Sequence, residues 1–365
     1  MNFYMPTMVY QENDAVKNHS GQMAGYGKKA MVVTGKHSSK QNGALQDVID
    51  GLEKYHTAYI VYDRITENPT VDAIMEAAAF GQQEGADFVI GIGGGSPLDA
   101  AKAIALVIQN RDSSKEVLYQ DISLRHLPVV AVPTTCGTGS EVTPYAVLTR
   151  EDLQTKQSIS HLIFPELALV DGKYLKNAPL TVITNTAVDA LGHMLESYFH
   201  TKATDYSRML CQYAMEAWGM ASGILFGMEP GEEDYGRLMF ASSLAGMAIS
   251  HTSTGLPHGL SYYLTYHKAV PHGKAVGLFL PGYLSVLPEE YEPQVIMALR
   301  TLGFGSIEQF SGFIREVLGT LGLTEQEEQE MVEGIAKNQK KLDTAPFAIT
   351  KEQIYQMCSI VRMES

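Results

Sequence analysis

Asp87-Phe88-Val89-Ile90-Gly91-Ile92-Gly93-Gly94-Gly95-Ser96-Pro97-Leu98-Asp99 begins as an apolar run, passes into glycines and ends where a helix can start. The apolar run predicts a buried strand over Phe88–Ile92. Ser96 suits a helix N-cap, Pro97 the first helical position and Asp99 the third. Residues without a Cβ let a ligand approach the backbone, and the helix start offers free N–H groups and positive dipole to a pyrophosphate. Taken alone, the stretch could equally be an ordinary tight strand-to-helix turn, so its surroundings decide.

On both sides of this stretch, short β-branched runs alternate with helical patterns. Ala30–Thr34, Ala58–Tyr62, Pro128–Val132 and Leu167–Val170 read as further strands, and 43–54, 70–84 and 96–109 carry apolar residues at helical spacing. Such alternation predicts βαβ units and a mainly parallel sheet, with ligands beyond the carboxyl ends of the strands. Past about residue 180 the β-rich runs stop and helical patterns take over at 181–201, 206–228, 232–250, 274–288, 306–321, 324–339 and 351–362. The expected organisation is an α/β domain over 1–178 and an all-α domain over 179–365, with Pro179 marking the boundary.

Two more small-residue loops follow predicted strands. Pro133-Thr134-Thr135-Cys136-Gly137-Thr138-Gly139-Ser140-Glu141 packs hydroxyls around glycines, and hydroxyls and bare backbone both donate to phosphate or amide groups. Gly35-Lys36-His37-Ser38-Ser39-Lys40 follows the first predicted strand. The common fingerprint GxGxxG is absent there, so a dinucleotide reading rests on the three loops together.

Composition narrows the partners. The 365 residues carry 27 Lys+Arg against 41 Asp+Glu, a net charge of −14 with no basic block, which argues against nucleic acid and anionic membranes. Three scattered cysteines, Cys136, Cys211 and Cys358, suit a reducing compartment, and Met1–Asp14 lacks the pattern of a signal peptide, so a cytoplasmic location is expected. Leu238–His267 contains no charged residue, but Ser242, Ser243, His251, Pro257 and His258 interrupt it. It reads as a buried helix followed by a loop rather than a membrane span.

In the helical half, Asp189 and His193 stand four apart on one predicted helix face, and His258 and His272 lie beside glycine and proline where the chain turns. Three imidazoles and one carboxylate would form an N₃O site for Fe²⁺ or Zn²⁺ with room for substrate. The other reading is a buried histidine bonded to backbone. His19, His37, His56 and His126 read as surface residues. Asp99 and Lys102, three apart, could orient a nicotinamide or form a surface ion pair.

With these motifs in order, the chain resembles the iron-containing (group III) alcohol dehydrogenases over essentially its whole length. The resemblance is carried by Glu67-Asn68-Pro69-Thr70, by Gly93 to Asp99 with Lys102, by Pro133 to Glu141, by Phe164 to Asp171 and by the four candidate ligands. It implies an N-terminal dinucleotide-binding domain and a helical C-terminal domain, with the active site in the cleft between them. By the same resemblance Asp189, His193, His258 and His272 are the metal ligands. Gly93, Gly94, Gly95, Asn68, Ser96, Asp99, Thr134, Thr135, Thr138 and Lys156 are then cofactor-binding. Tyr262 stands where many members carry a histidine four residues after the third ligand, which makes it the candidate proton-transfer group. Gly35 stands where members restricted to NAD often carry an acid. With Ser38 and Ser39 it predicts a preference for NADP(H) over NAD(H).

The implied reaction is hydride transfer between NAD(P)H and a small aliphatic alcohol or aldehyde, with Fe²⁺ (or Zn²⁺) as Lewis acid. A homodimer or larger homo-oligomer is expected. The alternatives are a glycerol dehydrogenase-like enzyme, a dehydroquinate synthase-like lyase and a nucleotide-binding module with a structural metal. A lyase of that kind needs basic residues around the metal for a phosphorylated substrate, and the segments flanking the ligands offer only Lys268 and Lys274.

Overall fold

Six strands lie side by side in the order β1 (Met8–Gln11), β8 (Leu167–Val170), β5 (Val129–Pro133), β4 (Phe88–Gly93), β2 (Lys29–Thr34) and β3 (Ala58–Tyr62). All neighbouring pairs are parallel. The computed structural model describes residues 3–111 and 113–358. Every residue of β4 is buried, as expected of a strand covered on both faces. Alternate residues feed two separate cores: Met31, Val33, Val89 and Val129 pack on one face of the sheet, while Ala30, Val32, Phe88, Ile90, Ile92, Val130 and Val132 pack on the other. The Ala44–Lys54, Val71–Glu84 and Gly95–Gln109 helices cover the sheet. Gly91 admits the last of these closely, since a Cβ there would lie 2.8 Å from Ala101 Cβ.

Chain order reverses between β2 and β4, since β3 follows β2 to one side and β5 follows β4 to the other. In open α/β sheets a ligand crevice forms outside the strand ends at such a point. The loops after β2, β4 and β5 are therefore neighbours. Thr34 donates its hydroxyl to Ile92 O (2.9 Å), and the Thr134 N–H donates to Gly93 O (2.9 Å).

The structure adds elements not expected from local pattern. The edge strand β1 is short and partly exposed, and an antiparallel hairpin pairs β6 (Val147–Arg150) with β7 (Thr155–Ser158). The chain divides into two compact units, one over Tyr4–Pro179 and the other beginning at Leu180 and including Phe3. The second unit contains no strand among the described residues. Its longest helices are Leu180–Tyr198 and Asp234–Thr252, at 19 residues each. The expected helix over 274–288 is two short ones, His272–Gly277 and Leu280–Ser285, and Glu292–Thr301 is an unexpected helix. The last residues of the expected 351–362 helix lie outside the described residues. No helix among the described residues is long and apolar enough to cross a membrane.

The segment around His258 corrects the expected loop, since Leu256–His267 is helical. Pro257 sits in its first turn, where a missing N–H costs nothing because helix starts leave those donors unused.

Candidate functional site

The Leu180–Tyr198 helix is buried at every residue from Ala187 to its end. Its spacing puts Asp189, His193 and Glu196 on one face. His258 lies in the first turn of the Leu256–His267 helix, and His272 is the first residue of His272–Gly277. That last helix approaches very closely, because a Cβ on Gly273 would fall 1.7 Å from Asn185 O. Glycine is therefore required beside His272.

These elements bring Asp189, His258 and His272 together, with one donor atom from each all within 4.8 Å of one another. Asp189 Oδ1 is 3.4 Å from His258 Nε2 and 3.6 Å from His272 Nε2. His193 stacks on His258 with centroids 4.6 Å apart and planes inclined by 18°. Asp189, His193 and His258 are buried, while the His272 side chain is 32% exposed and gives the cluster an open side. Asp189 Oδ1 and His258 Nε2 have no hydrogen-bond partner among the described residues. Buried polar atoms in this state are costly, and a cation between them would satisfy both.

The electrostatics agree with that donor set. Burial works to raise the Asp189 carboxyl, but His193, His272 and His258 outweigh it and hold the group well below the usual carboxylate range. Burial likewise pulls the His258 imidazole down, and Glu196 and Asp189 more than reverse this, raising it to about 9. The negative potential that favours a protonated imidazole would equally favour a metal cation. Tyr262 lies beside His272, with rings nearly parallel at 6.3 Å. Its hydroxyl is pushed up to about 12 by burial, with the Glu196 and Asp189 charges adding to the effect.

Sequence reasoning missed Glu196. This residue is 1% exposed, its Oε1 accepts from the His258 backbone N–H at 2.8 Å, and its Oε2 bonds His258 Nδ1. The available signal was its position, seven residues after Asp189 and three after His193.

In the first unit, the glycine-rich turn differs slightly from expectation. Gly94, in extended conformation, is the N-cap and Gly95 begins the helix, so Ser96 sits inside the first turn. The Ser96 hydroxyl instead accepts from the Asn68 N–H at 3.1 Å. Asn68 is also tied to the hairpin, since its carbonyl accepts from the Thr149 hydroxyl at 2.9 Å, and Lys156 pairs with Thr149. Asn68 thus contacts Ser96 directly and is linked to Lys156 through Thr149. Thr135 and Thr138 stand against Gly94 and Gly95, and Thr134 is buried beside them.

Asp99 and Lys102 are not a surface pair. Lys102 is fully buried and donates to Ser140 Oγ (2.8 Å), Thr143 O (2.9 Å) and Tyr145 O (2.7 Å). Burial pulls its pKa down to about 8 against the opposing charges of Asp99 and Glu141. Asp99 accepts from Ser140 Oγ at 2.6 Å and from the Val147 N–H at 2.9 Å. The two side chains tie the Gly95–Gln109 helix to the threonine-rich loop. In the loop after β2, Gly35 is half-buried and Lys36, His37 and Ser38 are exposed. Ser39 turns inward and its hydroxyl donates to Thr34 Oγ1 at 2.7 Å, while Lys40 pairs with Asp63 at 2.5 Å.

Comparison with known families gives two consecutive matches: iron-containing alcohol dehydrogenase over residues 6–172, and the C-terminal part of the Fe-containing alcohol dehydrogenase family over 183–359. The chain belongs to the iron-containing alcohol dehydrogenase family. Among its relatives is the lactaldehyde reductase of Escherichia coli K12, 33% identical over 259 residues that span 70% of this chain and 67% of the relative. The iron-containing alcohol dehydrogenase of Thermotoga maritima superposes with a TM-score of 0.90 at 36% identity, over 99% of each chain. A sulfoacetaldehyde reductase from Bifidobacterium kashiwanohense in complex with NAD⁺ gives 0.88 at 25% identity, covering 100% of this chain and 99% of the other. The protein is therefore a metal-dependent oxidoreductase acting on alcohols. Membership in an iron-containing alcohol dehydrogenase family implies iron and a nicotinamide dinucleotide as cofactors.

Proposed function

We propose that the enzyme transfers hydride reversibly between NADPH, in preference to NADH, and a small aliphatic alcohol or aldehyde, with a divalent metal held by Asp189, His193, His258 and His272. The observation that carries this reading is the pair of buried ligand-type atoms, Asp189 Oδ1 and His258 Nε2, which face each other at 3.4 Å and are not satisfied by a hydrogen bond among the described residues. Three imidazoles and one carboxylate suit Fe²⁺ and also accept Zn²⁺. When bound, the cation supplies Lewis acidity toward the substrate oxygen and the dinucleotide supplies the hydride.

The chain's part is to bind and orient. Asp189 contributes the one negative charge of the ligand set from a rigid buried helix, and the exposed side of His272 leaves an approach for substrate. The Gly94–Ser96 backbone offers its N–H groups to the pyrophosphate at a helix start. Gly35 places no carboxylate beside the adenosine ribose, and Lys36, His37 and Ser38 offer exposed donors to a 2′-phosphate. Ser39 supports the turn from within. The lactaldehyde reductase among the relatives favours a short aldehyde.

A reducing, cytoplasmic setting belongs to the same proposal, since Cys136, Cys211 and Cys358 are buried thiols outside any disulfide. So does a homodimer or larger homo-oligomer, because Tyr206, Met209, Tyr213 and Met220 are exposed at helical spacing along Asp205–Ala221.

The test is anaerobic metal analysis of the purified protein, with NADPH and NADH consumption followed over a panel of short aldehydes before and after chelation. We expect bound iron or zinc, faster turnover with NADPH and loss of turnover on chelation. Full activity in metal-stripped protein would remove the metal from the mechanism.

A further inference from the structure

We propose that Glu196 is a positioning residue that holds His258 in the one tautomer and orientation able to ligate the metal. The proposal rests on the metal reading above and extends it to a residue outside the ligand set. The Glu196 carboxylate is buried, and both its oxygens are engaged by one residue: Oε1 by the His258 backbone N–H at 2.8 Å and Oε2 by Nδ1 of the same histidine.

A carboxylate only accepts, so Nδ1 must carry a proton in this contact. In the neutral imidazole this leaves Nε2 as a bare lone pair. That atom is the one directed at Asp189 Oδ1, 3.4 Å away. Two acceptors facing each other repel unless a cation lies between them, so the contact on the far side of the ring prepares the near side for a metal.

The second contact has its own physical logic. The His258 N–H belongs to the first turn of the Leu256–His267 helix, where backbone donors have no partner within the helix. Glu196 satisfies it, and a negative charge at a helix N-terminus is favourable. One carboxylate therefore locks both the helix start and the ring it carries. Because Glu196 shares a helix with Asp189 and His193, that helix carries two candidate ligands and also fixes a third, His258.

Glu196→Gln is the diagnostic change. Glutamine keeps the shape, but its amide presents one acceptor and one donor, so it can serve only one of the two His258 donors. The readouts are Zn²⁺ affinity of the metal-stripped protein by chelator competition and the visible spectrum of the Co²⁺-substituted form, with circular dichroism and melting temperature as controls for the fold. We expect about 10–100-fold weaker Zn²⁺ binding and an altered Co²⁺ spectrum with the fold retained. Zn²⁺ affinity within about threefold of wild type, with an unchanged spectrum, would overturn the proposal.

His258→Ala separates this proposal from its premise. If that variant loses Zn²⁺ while Glu196→Gln keeps it, the positioning role alone fails. If His258→Ala binds Zn²⁺ as wild type does, the ligand assignment fails and the positioning role with it. Should Glu196→Gln not fold, the wild-type protein still decides. In zinc-loaded, ¹⁵N-histidine-labelled enzyme the His258 Nδ1 proton should exchange slowly with water, and rapid exchange would overturn the proposal.

Discussion

Thr138 Cγ2 lies 2.8 Å from the place where a Cβ on Gly95 would have to go. Gly94 stands in the same relation to Thr135, whose Oγ1 is 3.0 Å from the corresponding point. The glycines thus let the loops after β4 and β5 pack against each other. A branched side chain at Gly94 should push the two loops apart. Gly94→Val should raise the dinucleotide KM about tenfold, equivalent to ~1.4 kcal/mol, in steady-state kinetics with saturating aldehyde. A drop in melting temperature with unchanged KM would make the glycine a packing residue only.

His258→Ala and His272→Ala should abolish turnover and remove the metal while dinucleotide affinity stays within about twofold. The candidate ligands belong to one compact unit and the proposed phosphate loops to the other. Metal content, kcat and a fluorescence titration with NADPH check this together. Retained activity in either variant contradicts the ligand assignment.

Cofactor choice should turn on Gly35. An acid there would repel a 2′-phosphate and accept bonds from a ribose, so Gly35→Asp should lower kcat/KM for NADPH at least about tenfold relative to NADH. A Cβ at this position meets only Ile65 O at 3.4 Å, so the fold should tolerate the change. Equal weakening of both cofactors would show that the loop does not read the phosphate.

Tyr262→Phe should leave kcat within about twofold and the pH profile unmoved. A hydroxyl pushed up to about 12 keeps its proton at neutral pH and cannot act as a base there. A tenfold loss with a displaced pH profile would instead make Tyr262 a proton-transfer group.

Stability should fall in mild acid through His200. Its Nδ1 accepts from the Lys202 N–H at 2.9 Å, so the ring carries its proton on Nε2, next to Ser253 Oγ at 3.2 Å. Burial, with Lys202 adding to it, lowers its pKa to about 4. The unfolded chain therefore binds this proton more readily than the folded one. The contribution is complete above the ordinary histidine pKa and is lost as pH falls from about 6.5 toward 4, amounting to about 3 kcal/mol. Melting temperatures across that range should drop less steeply for His200→Gln than for wild type, and parallel curves would contradict the assignment.

The sheet was legible because its signals are local. A strand buried on both faces is a continuous apolar run, and the β4 turn carries its glycines and its helix start within a dozen residues. Strand β1 was not legible because it lies at the sheet's edge and pairs with β8, more than 150 residues along the chain. The Leu256–His267 helix was hidden because Gly255, Pro257 and Gly259 look like turn residues until the helix start is seen to need neither a proline N–H nor a local cap.

For the site, residue type and spacing in the sequence were enough to nominate Asp189, His193, His258 and His272 and the three small-residue loops. What neighbours each side chain was decided only in three dimensions. Lys102 could have been a surface cation, and Glu196 reads in sequence as one more helical acid. Burial turns the first into a staple between helix and loop, and the second into the partner of both His258 donors. Sequence patterns report which face of an element avoids water. They carry no information about which atoms from distant segments meet in the interior, where each polar group must find a specific partner.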